Sequence, residues 1–334
     1  MDWTKIRRKR AGLEKPHGAY TNLDELIRIQ FKVRDFSLLP TQPVTSVLSG
    51  RYASRLRGRG LNFEELRRYV AGDDIRTIDW KVTARTLSPH VRVYTEEKDR
   101  AVLLVVDQRI NMFFGTRDKM KSVTAAQLAA LGAWRALDVG DRVGAIVFND
   151  SELIGIRPKR LHKTVMSILG AIVGLNHRLG AQARIASRAD MLNIALEKAL
   201  QTAPHDVLVV VISDFLGVDG RTEKLTTRIA AHNDLLGLLV HDPVRLDPPE
   251  QRLTLSDGEL QAEIDLTHKE IRQKLSQDYR KEQAQITRFL RKFSAPLLLV
   301  NNAGSVVDQV RRLLGVPVGG SKTLTNFQEK APVV

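Results

Sequence analysis

Five short runs of aliphatic residues constrain the fold of this chain more than any other feature. They occupy residues 101–106 (AVLLVV), 143–148 (VGAIVF), 207–212 (VLVVVI), 235–240 (LLGLLV) and 297–300 (LLLV). None alternates polar with apolar positions. An uninterrupted run of this length is how a strand buried on both faces reads, and such strands belong to sheets covered by helices on each side. Helical patterns separate most of the runs. Residues 121–141 place Leu128, Leu131, Trp134 and Leu137 near helical spacing, with Gly140 as a stop. Residues 190–200 and 220–231 flank the third run. Residues 268–293 carry Ile271, Leu275, Tyr279, Ile286 and Leu290 on one stripe. Trp134 and Tyr279 are expected in the core. The alternation predicts an α/β fold, a doubly wound and mostly parallel six-stranded sheet. VFNDSELIGI turns at residues 149–151 and is expected to add an antiparallel edge strand. A second hairpin at 252–265, around Asp257–Gly258, reads as an insertion before the long helix.

In an open sheet of this kind, ligands bind outside the carboxyl ends of strands, where the strand order reverses. Asp107 ends the first run and Asp214 follows the third, in SDF. If the first run is central, these strands are neighbours and the two carboxylates meet in one crevice. Arg109 stands two positions after Asp107, and Asn111 two further on. The bland alternative is that each Asp caps the segment that follows it.

The first hundred residues lack the strand–helix rhythm. Residues 21–33 read as a capped helix, with Asn22 followed three positions later by Glu25. The chain is therefore divided into a basic segment with linker (1–48), a segment at 49–100 packed on or beside the main domain, the α/β domain (101–315) and a loose tail (316–334). Residues 1–68 hold 15 Lys and Arg against 7 Asp and Glu, more than half of the net +14 of the chain. Such a surplus implies either a solvated face or an anionic partner: nucleic acid, an acidic protein or a membrane surface. The chain has no cysteine, which excludes disulfides and thiol catalysis. No apolar run approaches the roughly 20 residues of a spanning helix, so the cytoplasm is the expected compartment. The eight histidines show no metal-ligand spacing, and serine and histidine occur without a nucleophile elbow.

At Asp107 and Asp214 the sequence resembles the von Willebrand factor type A domain. That family holds a divalent metal with an Asp-x-Ser-x-Ser loop, a later Thr and a final Asp. Here the loop reads DQRIN: Asp107 matches the Asp, while Arg109 and Asn111 replace the serines. The Thr position falls at Ala189 and the last Asp at Asp214. The resemblance thus implies a degenerate metal site, whose remaining ligands would be Asp107, Asn111 and Asp214. A hard cation such as magnesium takes about six oxygens, and Arg109 offers none. A like charge about 4 Å from such an ion costs several kcal/mol even at an effective dielectric of about 20. Arg109 is therefore expected to replace the metal and to bridge Asp107 and Asp214. No metal and no cofactor are expected.

Residues 49–100 resemble the signature of the domain of unknown function 58 family. The matching positions are Gly58, Gly60, Phe63, Arg67, Tyr69, Gly72, Asp73, Asp74, Arg76, Ile78, Asp79, Trp80, Ala84, Arg85 and Thr86. Read from the residues alone, Asp73, Asp74 and Asp79 stand beside Arg76, Lys81 and Arg85. They predict an ion-pair scaffold anchored by Trp80, not a catalytic centre. The family resemblance implies a non-enzymatic adaptor or partner of a MoxR-type AAA+ ATPase, acting in assembly or maturation of client proteins. Met112, Phe113, Phe114 and Phe215 are the candidate interface residues at the crevice rim. Two alternatives stand beside this: a nucleic-acid-binding protein using the basic N-terminal segment, and a type A domain, weakly metal-dependent or hydrolytic.

Overall fold

The computed structural model describes residues 18–33, 61–96, 101–180, 185–256, 261–291 and 295–314. They fall into two compact units: Met1–Thr45 with Ala101–Val334, and Ser46–Arg100. The tail from residue 316, Gly58, Gly60 and most of the basic N-terminal segment lie outside the described residues.

The chain enters the larger unit through α1 (Leu23–Arg28), which continues as a 3-10 turn to Lys32. Asn22 accepts the Glu25 N–H at 2.8 Å, as the capping pattern predicts. The Glu25 side chain does not return to Asn22; it accepts from Gln127. The segment is not a separate arm. Leu26 is fully buried in the core of the larger unit, and its carbonyl accepts from the Trp134 indole at 3.0 Å.

The smaller unit is an antiparallel pair, β1 (Leu61–Arg68) and β2 (His90–Glu96), joined through a 3-10 turn and α2 (Trp80–Thr86). Sequence periodicity does not reveal this hairpin, because LNFEELRR alone carries four charged residues in eight.

The larger unit is built on β3 (Ala101–Asp107), β4 (Arg142–Phe148), β5 (Leu153–Lys159), β6 (Val207–Ser213), β7 (Asp234–His241) and β10 (Leu297–Asn301). Their spatial order is β10-β7-β6-β3-β4-β5. Every pair is parallel except β4 with β5. All five aliphatic runs are strands, and the expected edge hairpin is present. The remaining pair, β8 (Arg252–Ser256) with β9 (Gln261–Asp265), forms the insertion. The sheet carries α3 (Lys121–Asp138), α4 (His162–Asn176), α5 (Met191–Thr202), α6 (Gly220–Ala230), α7 (Lys269–Arg291) and α8 (Val306–Leu313). Sequence reading missed α4 and α8.

Burial explains the unbroken runs. Along β3, Val102, Leu104 and Val106 enter a core shared with α1, α3, α4 and α8. Ala101, Leu103 and Val105 enter a second core with α5, α6 and Ile286 of α7. Successive side chains of a strand point to opposite faces, so a strand between two cores needs an apolar residue at every position. Each buried Val or Leu contributes roughly 2 kcal/mol. Trp134 and Tyr279 are both buried, as expected.

Gly144 marks where the edge strand passes closest. A Cβ there would stand 2.5 Å from the Ile156 carbonyl oxygen and 2.6 Å from the Pro158 nitrogen, at the irregular register of β4 with β5. Gly170 in α4 has open space around its Cβ position. Gly144→Ala is expected to cost about 1–3 kcal/mol by overpacking. Gly170→Ala is expected to stabilise by about 0.8–1 kcal/mol through helix propensity. Thermal unfolding of the two variants checks the contrast.

Candidate functional site

Asp107 ends β3 and Asp214 follows β6, and these strands are neighbours in register. The chain thus delivers both carboxylates to one crevice above the sheet, between the two central strands. Asp107 is fully buried, and Asp214 is mostly so.

Arg109 curls back onto Asp107. Its backbone N–H donates to Oδ1 at 2.9 Å and its Nε to both oxygens at 3.1 Å, while Nη2 donates to Oδ2 at 2.7 Å. Nη1 donates to the carbonyls of Ala189 at 3.3 Å and Leu216 at 3.2 Å, and Nη2 shares the Leu216 carbonyl. The guanidinium lies 5.7 Å from the Phe148 ring centroid and is among the largest fully buried side chains. Ser213 completes the shell by donating its hydroxyl to Asp107 Oδ2 at 2.6 Å. Burial alone would lower the Arg109 pKa, but Asp107, with Asp214 and Asp150 behind it, raises it.

Asp214 has a different cation. Lys121 Nζ donates to its Oδ2 at 2.6 Å, and Asn111 Nδ2 donates to both oxygens at 2.8 Å. The Leu216 N–H adds a bond at 3.0 Å. Arg109 Nη2 stands 4.0 Å from Asp214, beyond hydrogen-bonding distance. The expected bridge is therefore lopsided: Arg109 hydrogen-bonds Asp107 and stands at ion-pair distance from Asp214, whose hydrogen-bonded cation is Lys121. The Asp214 pKa is lowered to about 2; burial is the largest single influence and opposes the shift, and the Lys121 ammonium, the Leu216 N–H and the Arg109 charge together outweigh it.

Two further anchors hold the crevice loops. Asp150 accepts the Ile110 N–H at 2.6 Å and the Arg188 N–H at 2.9 Å. Phe215 is buried in the left-handed region at φ 56 and donates its N–H to Ser213 Oγ at 2.9 Å. A non-glycine residue held there stores roughly 1–2 kcal/mol of strain, and the next residue, Leu216, presents the carbonyl that Arg109 takes.

This donor set does not fit a hard divalent cation. Both carboxylates already have a nitrogen cation within 2.7 Å. Asn111 turns its NH2 group, not its carbonyl, toward Asp214, and its Oδ1 is buried without a hydrogen-bond partner among the described residues. Ala189 contributes only its backbone carbonyl, to the arginine.

Lys121, Ser213 and Asp150 were missed from sequence. Lys121 carried a signal: a cation at the first position of a helix opposes the macrodipole, so it needs an anion nearby. The apolar rim also needs correction. Met112 and Phe215 are buried and cannot serve as contact residues; Phe113 and Phe114 are half-buried, Phe113 against Tyr20 with ring centroids 5.5 Å apart. Leu216 is the exposed apolar side chain of this loop.

The signature residues form an ion-pair scaffold within the smaller unit, with partners other than those expected. Arg67 grips Asp73 through two bonds of 2.7 and 2.8 Å. Asp79 caps α2 through the Lys81 and Val82 N–H groups and pairs with Arg92. Asp74 caps the 3-10 turn at Arg76. Arg76 and Arg85 are exposed, Tyr69 is half-buried, Gly72 lies in a turn with φ 110, and Phe63 pairs with Tyr94 in register. Trp80 is not an anchor: it is exposed.

Fold and crevice together define a doubly wound α/β protein whose strand-end crevice is closed by its own ion pairs. The family model described as "Protein of unknown function DUF58" matches residues 65–285, and the chain belongs to that family. It is 32% identical over 220 residues to the uncharacterized protein Mb1516 of Mycobacterium bovis, covering 65% of this chain and 67% of that one. The uncharacterized protein Rv1480 of Mycobacterium tuberculosis gives the same identity and coverage. Among solved structures, the SpRpn10 VWA domain matches with a TM-score of 0.37 and 12% identity, over 67% of this chain and all of that one. A von Willebrand factor type A protein from Catenulispora acidiphila matches with a TM-score of 0.38 and 9% identity, over 67% of this chain and 43% of that one. No helix among the described residues is long and apolar enough to cross a membrane.

Two outcomes test the crevice. Arg109→Met leaves Asp107 buried with Ser213 as its remaining side-chain donor and is expected to cost about 3–5 kcal/mol. Adding Asp107→Asn is expected to recover part of that loss, which denaturant unfolding of the double-mutant cycle measures. The second outcome concerns acid. Because the folded Asp214 pKa is about 2 against an ordinary 3.8, its ionisation stabilises the fold above pH 3.8 by about 2 kcal/mol. That contribution fades as pH falls from about 4 to 2. The stability gap between the wild type and Asp214→Asn is expected to shrink over this interval in pH-dependent unfolding.

Proposed function

We propose that this protein is a non-catalytic protein-interaction module whose crevice rim, at residues 110–118 and 214–217, binds a MoxR-type AAA+ ATPase. In that role it acts as an adaptor in the assembly or maturation of other proteins. The observation that carries the reading is the neutralised crevice. Asp107 and Asp214 stand where an α/β sheet of this type holds a ligand, yet Arg109 and Lys121 already satisfy them. Asp214 is not poised to exchange a proton near neutral pH, since an acid–base catalyst needs a pKa near the working pH and its own is lowered to about 2. A crevice stiffened this way keeps the surrounding loops in one shape, and a preorganised rim lowers the cost of association. The exposed Leu216 and Arg117 offer an apolar and a charged contact on that rim.

The full chain is expected to co-purify with a MoxR-type AAA+ ATPase of the same genome, with affinity that changes with bound nucleotide. Leu216→Arg and Arg117→Glu, both at exposed positions, are expected to weaken the complex by about tenfold, equivalent to about 1.4 kcal/mol. Absence of association with and without ATP would overturn the reading, and so would association indifferent to both substitutions.

A further inference from the structure

The smaller unit carries large apolar side chains that are exposed. Val70 is 61% exposed, Ile75 66%, Trp80 70% and Leu87 93%. Along α2, Trp80 and Ala84 are spaced i and i+4, so they share one side of the helix; both are exposed, and so is Leu87, the left-handed residue that ends the helix. Lys81 and Arg85, at i and i+4, lie beside that pair and are exposed too. The half-buried residues of the helix are Val82 and Thr83. Its apolar residues are thus distributed in reverse: the largest ones face water.

The charges are also divided. Arg67 and Arg92 are spent on Asp73 and Asp79, which build the scaffold. Arg68, Arg76, Lys81 and Arg85 have no carboxylate partner among the described residues. Four cations without a carboxylate partner among the described residues thus alternate along the sequence with four exposed apolar side chains. We propose that this face of α2 and the turn before it is a docking surface for a partner protein whose contacting segment is acidic and bears apolar side chains.

The chemistry selects that occupant. Three of the four cations are arginine, whose planar fork matches carboxylates in pairs. Tryptophan and arginine are the residues that anchor protein interfaces most often. Val70, Ile75 and Leu87 are aliphatic and give no stacking platform for bases, which single-stranded nucleic acid requires. A seven-residue helix with cations beside its apolar stripe presents too little continuous apolar surface to hold an interfacial position in a bilayer. This surface belongs to the smaller unit and does not rest on the partner proposed for the crevice.

The test uses the full chain and a fluorescent synthetic peptide that alternates glutamate with leucine and phenylalanine. Polyglutamate, a single-stranded oligonucleotide and phosphatidylserine vesicles serve as competing probes. The peptide is expected to bind more tightly than polyglutamate and to weaken as salt rises. Its affinity is expected to fall about tenfold or more in Trp80→Ala and in the Lys81→Glu, Arg85→Glu double variant. Trp80→Phe is expected to retain most of it. Unchanged far-ultraviolet circular dichroism in each variant excludes unfolding as the cause. The proposal is overturned if polyglutamate binds as well as the peptide, if the oligonucleotide or vesicles bind in preference, or if Trp80→Ala has no effect. It is equally overturned if Trp80 in the free protein is already shielded from acrylamide quenching.

Discussion

The buried pair of Arg109 with Asp107 is the interaction on which the crevice depends. Taking either charge out of water alone costs several kcal/mol. Their mutual geometry, the Ser213 hydroxyl and the carbonyls of Ala189 and Leu216 together satisfy both groups. One guanidinium thereby ties three separate loops, those after β3, before α5 and after β6. A pair so placed is weak support for overall stability, since an apolar replacement of equal shape can do as well. What it supplies here is position: together with the buried Met112 and Phe215, it holds these loops in a single arrangement.

Lys121 and Asp214 repeat the same solution one step outward. The carboxylate sits where it offsets the unfavourable placement of a lysine at the start of α3, and the lysine keeps that carboxylate ionised. Asn111 adds hydrogen bonds to both carboxylate oxygens. The two pairs differ in solvent contact, with Arg109 sealed and Lys121 slightly exposed. The outer pair is therefore the one that solvent and acid reach first.

Much of the larger unit was legible in the sequence because a strand between two cores must be apolar at every position. That one constraint located five strands and made the edge hairpin the natural sixth. It also made Asp107 and Asp214 neighbours before any contact was known. The helix α4 was less legible: its first turn, HKTV, carries no capping side chain, and Leu161, which precedes it, is exposed. The partner of Asp214 was hidden for a different reason. Lys121 lies fourteen residues from Asp107, and only the fold of the intervening loop brings its ammonium to the crevice. In the smaller unit the aspartates were read as scaffold residues, but their cations are Arg67 and Arg92 and not the expected Arg76, Lys81 and Arg85, and Trp80 was misplaced. A tryptophan usually marks a core, and here the scaffold is held by ions, so no core had to receive it.

Manganese titration by calorimetry tests the central claim most directly, with the wild type and Arg109→Ser compared in one buffer. The wild type is expected to show no binding at micromolar concentrations, because its carboxylates already hold protein cations. Removing the guanidinium frees Asp107 and restores a hydroxyl, so the variant is expected to acquire a heat of binding. Micromolar affinity in the wild type would contradict the account, showing that the crevice accepts a metal with Arg109 in place.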